Sequence, residues 1–252
     1  MPADLDLHLR PAGSWDNHHI VDVLTSAVAA TSIARWILPT AQTRARYLQR
    51  RLTQLITSRI AAGKVRVAEH DGQIIGAIAW TTCTETGPTR QDHGHALLLD
   101  TAADGHRTRQ LRTRLNQRHP TRPHHHLLAI GVHPARRRQG IGKLLLHDWH
   151  RQLPTDPAPV FLLAPDLLFG LASSAGYHTL GHPISAMISA PPLYVMWRPT
   201  NGPAPALCAA AGTSPMRTPT TRAVTPPDTG DHPDARSTRN TPCREEQWQP
   251  PA

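Results

Sequence analysis

Along residues 1–200 the apolar positions switch repeatedly between a period of two and a period near 3.6, and those switches set the predicted element order. Leu7 and Leu9 alternate within residues 6–10, a first strand. Ile20, Val23, Leu24, Ala27 and Val28 then recur at helical spacing, with Asp16 placed as an N-cap. A second helix is predicted over 43–61, with Tyr47, Leu48, Leu52, Leu55 and Ile56 inward and Gly63 ending it. Strands at 64–69 and 73–81 flank His70-Asp71-Gly72, the tight-turn signal of an antiparallel hairpin. Residues 96–117 read as a helix, and 127–132 as a nearly unbroken apolar strand in the middle of a sheet. A helix from Gly140 to about Gln152, a strand at 160–163 and a short helix ending near Gly176 follow. Two strands at about 177–187 and 193–198 complete the order β-α-α-β-β-α-β-α-β-α-β-β. The fold class this predicts is α/β: a mixed sheet of six to seven strands flanked by helices.

Composition changes the picture at residue 201. The last 52 residues hold ten prolines and eight threonines, and their large apolar side chains are Leu207, Met216, Val224 and Trp248. Such a segment buries too little surface to offset its ordering entropy, so residues 201–252 are predicted to be a disordered tail beside a 1–200 domain. Five arginines and five acids cancel within the tail, which leaves the whole +9 excess on the first 200 residues. A basic domain points to an anionic partner such as nucleic acid or a phosphorylated cofactor. Cys83, Cys208 and Cys243 show no metal spacing, and their odd number without a framework fits a reducing compartment. MPADLDLHLR has no apolar targeting core, and no stretch approaches the roughly 18 apolar residues of a membrane span. A cytoplasmic protein is expected.

The candidate chemistry lies in VHPARRRQGIGKLLL (132–146), where a buried strand runs into a basic, glycine-containing loop and then a helix. The start of a helix carries N–H groups without intrahelical partners and partial positive charge. Arg136, Arg137, Arg138 and Lys143 raise that potential, and small residues let an anion reach the backbone. A pyrophosphate matches several N–H donors in a row. The dinucleotide fingerprint fails because Leu145 stands where its third glycine belongs, and the P-loop fails because Leu144 follows Gly142-Lys143. What remains is Arg137-x-x-Gly140-x-Gly142 after Val132-His133-Pro134.

This pattern resembles the coenzyme A loop, [Q/R]xxGx[G/A], of the GNAT N-acetyltransferases. PHHHLLAIGVHPARRRQGIG (123–142) and GKVRVAEHDGQIIGAIAWTT (63–82) are similar to puromycin-N-acetyltransferase-like members, and LLAPDLLFGLASSAGY (162–177) is similar to the family's late segment, whose closing Gly-Phe is Gly176-Tyr177 here; the likeness covers roughly residues 5–199. The resemblance implies a GNAT-like sheet and acetyl-CoA as co-substrate. Its pyrophosphate would sit on Arg138, Gln139, Gly140, Ile141, Gly142 and Lys143. Its pantetheine arm would pair with the backbone around Ile130 and Val132, where neighbouring strands splay after Val132. The family pattern is broken at two points: Leu163 stands at a frequent glutamate and Ala172 at a frequent general-acid tyrosine. A histone-acetyltransferase glutamate corresponds to His126, an imidazole suited to taking a proton. His124-His125-His126 otherwise reads as a surface run. As a metal site the three fail, because consecutive strand residues alternate faces, so no metal is expected.

The expected function is therefore acetyl transfer from acetyl-CoA to an amine of a small-molecule acceptor, with residues 36–47 and 82–95 lining the acceptor site. The missing proton carriers leave a second reading, a catalytically degenerate domain that binds coenzyme A as a sensor or scaffold. A third is nucleic-acid binding by HRTRQLRTRLNQRHPTR (106–122), which carries six arginines and no acid. No aromatic interleaves with those arginines, so a stacking platform for single strands is lacking.

Overall fold

The hairpin at residues 70–73 organises the sheet. In a computed structural model, Asp71 and Gly72 both have positive φ, at 49° and 72°. Two left-handed residues in a row make the turn whose twist matches that of its flanking strands, here β2 (Val65–His70) and β3 (Gln73–Cys83). The structure describes residues 6–84, 106–120, 122–153, 159–185 and 189–199. The expected tail at 201–252, the start of the helix expected from 96, and positions 85–95 of the expected acceptor loop lie outside the described residues.

The remaining strands are β1 (His8–Pro11), β4 (His124–Val132), β5 (Val160–Ala164), β6 (His178–Thr179) and β7 (Tyr194–Arg198). Among the described residues they form one seven-stranded sheet in the order β1-β2-β3-β4-β5-β7-β6. The sheet is mixed, because β4 and β5 run parallel while every other pairing is antiparallel. The helices are α1 (Asn17–Ala29), α2 (Ser32–Ile37), α3 (Ala41–Ala61), α4 (His106–Gln117), α5 (Ile141–Gln152) and α6 (Asp166–Ser174).

Two layers of helix bury the two faces. Ile20 and Leu24 of α1 and Leu48, Leu52 and Ile56 of α3 cover Val65, Val67, Ala77 and Ala79 on one face. Ile141, Leu145, Leu146 and Trp149 of α5 cover Ile78, Trp80, Leu127 and Leu162 on the other. A third cluster joins Ile33 of α2 and Leu111 and Leu115 of α4 to Phe161, Val195 and Trp197. The inward facing of Leu111 and Leu115 is the one the sequence pattern predicts. No helix among the described residues is long and apolar enough to cross a membrane.

Three local details differ from the expectation. Helix α2 is additional, held at its start by the Thr31 hydroxyl, which accepts from the Ala34 N–H at 3.3 Å. Asp16 stands at the N-cap of α1 but makes no side-chain capping bond to that helix. Its carboxylate instead accepts from the Gly13 N–H at 2.7 Å and from Arg10 at 2.6 and 3.0 Å. Those hydrogen bonds, the guanidinium's first, hold its carboxyl below the usual range. The strand expected over 177–187 shrinks to β6 plus an isolated bridge between Ile184 and Leu193.

One half-buried histidine makes stability depend on pH. The Tyr177 hydroxyl lies 2.8 Å from Nε2 of His150, near the end of α5. Burial, then the charges of Arg198 and His147, push the imidazole down to about 4. The folded state thus holds His150 neutral, while the unfolded chain protonates it near 6.5. Its contribution is fully present above about pH 6.5 and is lost as pH falls towards 4. Allowing for the partial solvent contact of the ring, His150→Gln is expected to remove about 2 kcal/mol of the stability difference between pH 7 and pH 4.5. Denaturant midpoints at the two pH values check this; an unchanged difference in the variant would refute it.

Candidate active site

The strand register builds an open edge in the centre of the sheet. β4 pairs with β3 along its whole length, but with β5 only at His125, His126 and Leu127. The splay therefore begins after Leu127, five residues before the expected point at Val132. Its cause is visible in the ladder with β3. Ala79 faces Ala129 and Trp80 faces Leu127, so Leu128 is an extra residue in β4, a bulge that bends the strand away.

Backbone direction beyond the bulge follows from alternation. The His133 N–H bonds the Ile75 carbonyl at 2.8 Å, and Gly76 faces Val132 in the same register. In an antiparallel ladder, residues that exchange hydrogen bonds alternate with residues that do not. His133, Gly131 and Ala129 thus spend their backbone groups on β3. Val132 and Ile130 point theirs the other way, into the gap that β5 has left.

The loop closes one end of that gap. A 3-10 turn at Pro134–Arg136 follows β4, and Arg137 donates from Nε to the Val132 carbonyl at 3.3 Å. Arg138 and Gly140 are both left-handed, with φ of 62° and 83°. Such a conformation at alternate residues lets successive N–H groups converge on an anion. Gly140 is the N-cap of α5, and the first helical bond runs from the Leu144 N–H to the Gly140 carbonyl at 3.0 Å. The N–H groups of Ile141, Gly142 and Lys143 precede that bond, and they face the N-terminal end of the helix dipole.

A cleft of about 710 Å³ runs along this edge. Ile130, Val132, Arg137, Arg138, Gly140, Ile141, Gly142 and Lys143 all line it, and so does His126. Gln139 belongs to the same loop but is outside the lining, on the exposed side. Leu163 forms part of the aliphatic wall, whereas Ala172 is buried in the core. Neither place carries a proton donor, and no acidic residue appears among the described lining.

The three histidines are not a surface run. His124, His125 and His126 are all buried, because β4 lies in the middle of the sheet. His125 turns to one face, where its Nδ1 is 3.1 Å from the Thr82 hydroxyl; burial, then the charges of Lys64 and His124, lower its pKa. His124 and His126 turn to the opposite face. There they meet His119, which the sequence pattern did not single out, and Cys83, which showed no metal spacing in the sequence, and all four lie together. The alternation that excludes three consecutive ligands thus brings together the first and third. A same-face pair at 124 and 126 was legible in the sequence; their neighbours from β3 and the turn after α4 were not.

Residues 31–152 match the model of the acetyltransferase (GNAT) family. Among solved structures, a histone acetyltransferase HPA2 and related acetyltransferase from Corynebacterium glutamicum is similar, with 25% identity, 78% of this chain and 98% of that chain covered, and a TM-score of 0.53. An agmatine N-acetyltransferase in its apo form shares the fold at 15% identity, with 76% and 98% covered and a TM-score of 0.53. A search of curated proteins finds no match. With the splayed sheet and the basic loop between β4 and α5, these findings identify residues 31–152 as matching an acetyltransferase domain of the GNAT family.

Proposed function

We propose that the protein is an N-acetyltransferase that binds acetyl-CoA in the β4–β5 cleft and passes the acetyl group to an amine of a small molecule. The observation that carries this is a single cleft with two matched ends. One end offers a helix start and the basic loop 136–143; the middle offers the outward-turned backbone of Ile130 and Val132. A pyrophosphate suits the first and an amide-rich pantetheine arm the second. The Val132 N–H is placed to stabilise the oxyanion as the amine nitrogen attacks the thioester carbonyl. The C–S bond then breaks, the sulfur leaves as a thiolate, and the nitrogen sheds its proton.

The proton has no dedicated carrier at Leu163 or Ala172. A thiolate leaves without a strong acid near neutral pH, because a thiol ionises near 8.5. His126 has one imidazole lone pair with two exclusive uses, accepting the acceptor's proton or binding a metal. Its buried neighbours favour the second, and solvent at the cleft mouth then takes the proton. The acceptor end is walled by Ile33, Leu111, Leu115, Leu163 and Leu193, which suits an amine with an apolar body.

The test is calorimetric titration of acetyl-CoA into the full chain, followed by thiol release from acetyl-CoA over a panel of arylalkyl, polyamine and amino-sugar amines. Micromolar binding with amine-dependent release is expected, fastest for the apolar amines. Binding without release for any amine would replace the enzyme by the coenzyme A sensor, the reading that Leu163 and Ala172 favour. Absence of binding would remove both.

A further inference from the structure

Beneath the cleft, four side chains with metal-binding atoms meet in one buried place. Cys83, His119, His124 and His126 are 5%, 3%, 0% and 1% exposed. Cys83 is the last residue of β3 and stands opposite His124 in the ladder; His126 lies two residues along β4, on the same face, opposite Thr81. His119 follows α4 by two residues. One ligand atom from each, a thiol sulfur or an imidazole nitrogen, lies within 4.8 Å of the other three. The three rings surround a common volume, with centroids 4.8, 5.5 and 6.2 Å apart.

Two of the tautomers are set for coordination. Nδ1 of His119 is 3.0 Å from the Pro120 carbonyl and Nδ1 of His124 is 2.7 Å from the Arg122 carbonyl. A carbonyl only accepts, so each Nδ1 carries the hydrogen and each Nε2 keeps its lone pair. Both Nε2 atoms are sealed from solvent. A metal-binding histidine is ordinarily oriented in this way, with its other ring N–H donated to a backbone carbonyl. Phe161 packs against all three rings at 4.8 to 5.5 Å, and Trp197 lies 6.4 Å from His124. An aromatic shell of this kind keeps water out and strengthens ligation.

We propose that Cys83, His119, His124 and His126 bind one zinc ion in a closed, tetrahedral, structural site. One thiolate and three imidazoles without a carboxylate suit zinc rather than magnesium, calcium or manganese. Bond lengths of roughly 2.0–2.3 Å put tetrahedral ligand atoms about 3.3–3.8 Å apart, so contraction by about 1 Å completes the cage. On binding, the Cys83 thiol loses its proton to solvent, and the sulfur and three nitrogens each donate a lone pair to the ion. The ion ties the end of β3 and the turn after α4 to β4, so that Cys83 and His119 are held to one strand. It also fixes His126 in the cleft wall and withdraws its lone pair from proton transfer. The ion site does not rest on the acetyl-transfer reading, although it decides that His126 takes no proton there.

The experiment uses the full chain and a variant, Cys208→Ser/Cys243→Ser, that leaves Cys83 as its single thiol. Elemental analysis of both as purified is expected to give one zinc per chain. After chelation under reducing conditions, titration with Co²⁺ is expected to give a thiolate-to-cobalt charge-transfer band and tetrahedral d–d bands that saturate at one equivalent and vanish on adding zinc. His119→Gln in that background, with its fold checked by circular dichroism, is expected to weaken cobalt binding at least tenfold. Zinc content near zero with no cobalt band in either chain would overturn the proposal. So would a band in the wild type that disappears in the double serine variant, because the ion would then sit on the tail cysteines.

Discussion

Gly142→Glu is expected to weaken acetyl-CoA binding at least 100-fold while leaving the fold intact. Gly142 is the second residue of α5, and an ideal Cβ there lies 3.0 Å from a Leu171 methyl and 3.9 Å from a Val132 methyl. A side chain at 142 therefore emerges between β4 and α6, in the cleft itself. A carboxylate there competes with the pyrophosphate for the N–H groups of the helix start and repels its charge. The same carboxylate suits the helix dipole, so folding does not suffer electrostatically. A 100-fold loss corresponds to about 2.7 kcal/mol. Gly142→Ala separates the steric part, since the atom in the way is the end of the Leu171 side chain, which lines the cleft; a loss below about fivefold is expected. Calorimetry with melting temperatures as control decides the matter. Binding by Gly142→Glu within about threefold of wild type would mean that the loop is only a basic turn.

That loop was legible because its signal is local. Strand, basic run, Gly-x-Gly and helix fall within 15 consecutive residues, and backbone N–H groups do the binding, so no long-range pairing has to be known. The element order was legible for the same reason, each helix of ten residues or more showing its own period. Helix α2 was not, since six residues give too few turns for a period to stand out, and β6 has only two residues. The splay point was hidden because it depends on the bulge at Leu128, a property of the β3–β4 register. The Cys-His cluster was hidden for the same reason. Cys83 and His124 are 41 positions apart in the chain and direct partners in the ladder. Burial of the histidine run also follows from sheet order, because a strand with partners on both sides and helices on both faces has no surface.

The second large effect concerns what holds α5, and with it the loop, against the sheet. Asp148 of α5 forms an ion pair with Arg66 of β2, their side chains 4% and 12% exposed. Arg66 also reaches the Leu9 carbonyl at 3.3 Å, so one guanidinium spans β1, β2 and α5. Arg151 adds a contact to Asp148 at 3.2 Å, but its exposed side chain is worth at most about 1 kcal/mol. Removing one partner of a buried pair leaves the other as an uncompensated charge, at a cost of about 3–5 kcal/mol. Asp148→Ala is therefore expected to destabilise the chain by that amount in denaturant unfolding at pH 7. Arg66→Met/Asp148→Leu removes both charges and fills the space, and is expected to recover all but about 1–2 kcal/mol. If the pair also sets the angle of α5, the single variant loses acetyl-CoA affinity and the apolar double variant regains it, because packing then takes over the positioning. Equal stability losses in the two variants would instead show that the geometry of the charged pair is required for packing α5 onto the sheet. A loss below about 1 kcal/mol for Asp148→Ala would mean that solvent reaches Arg66 and the pair is not a buried one in solution.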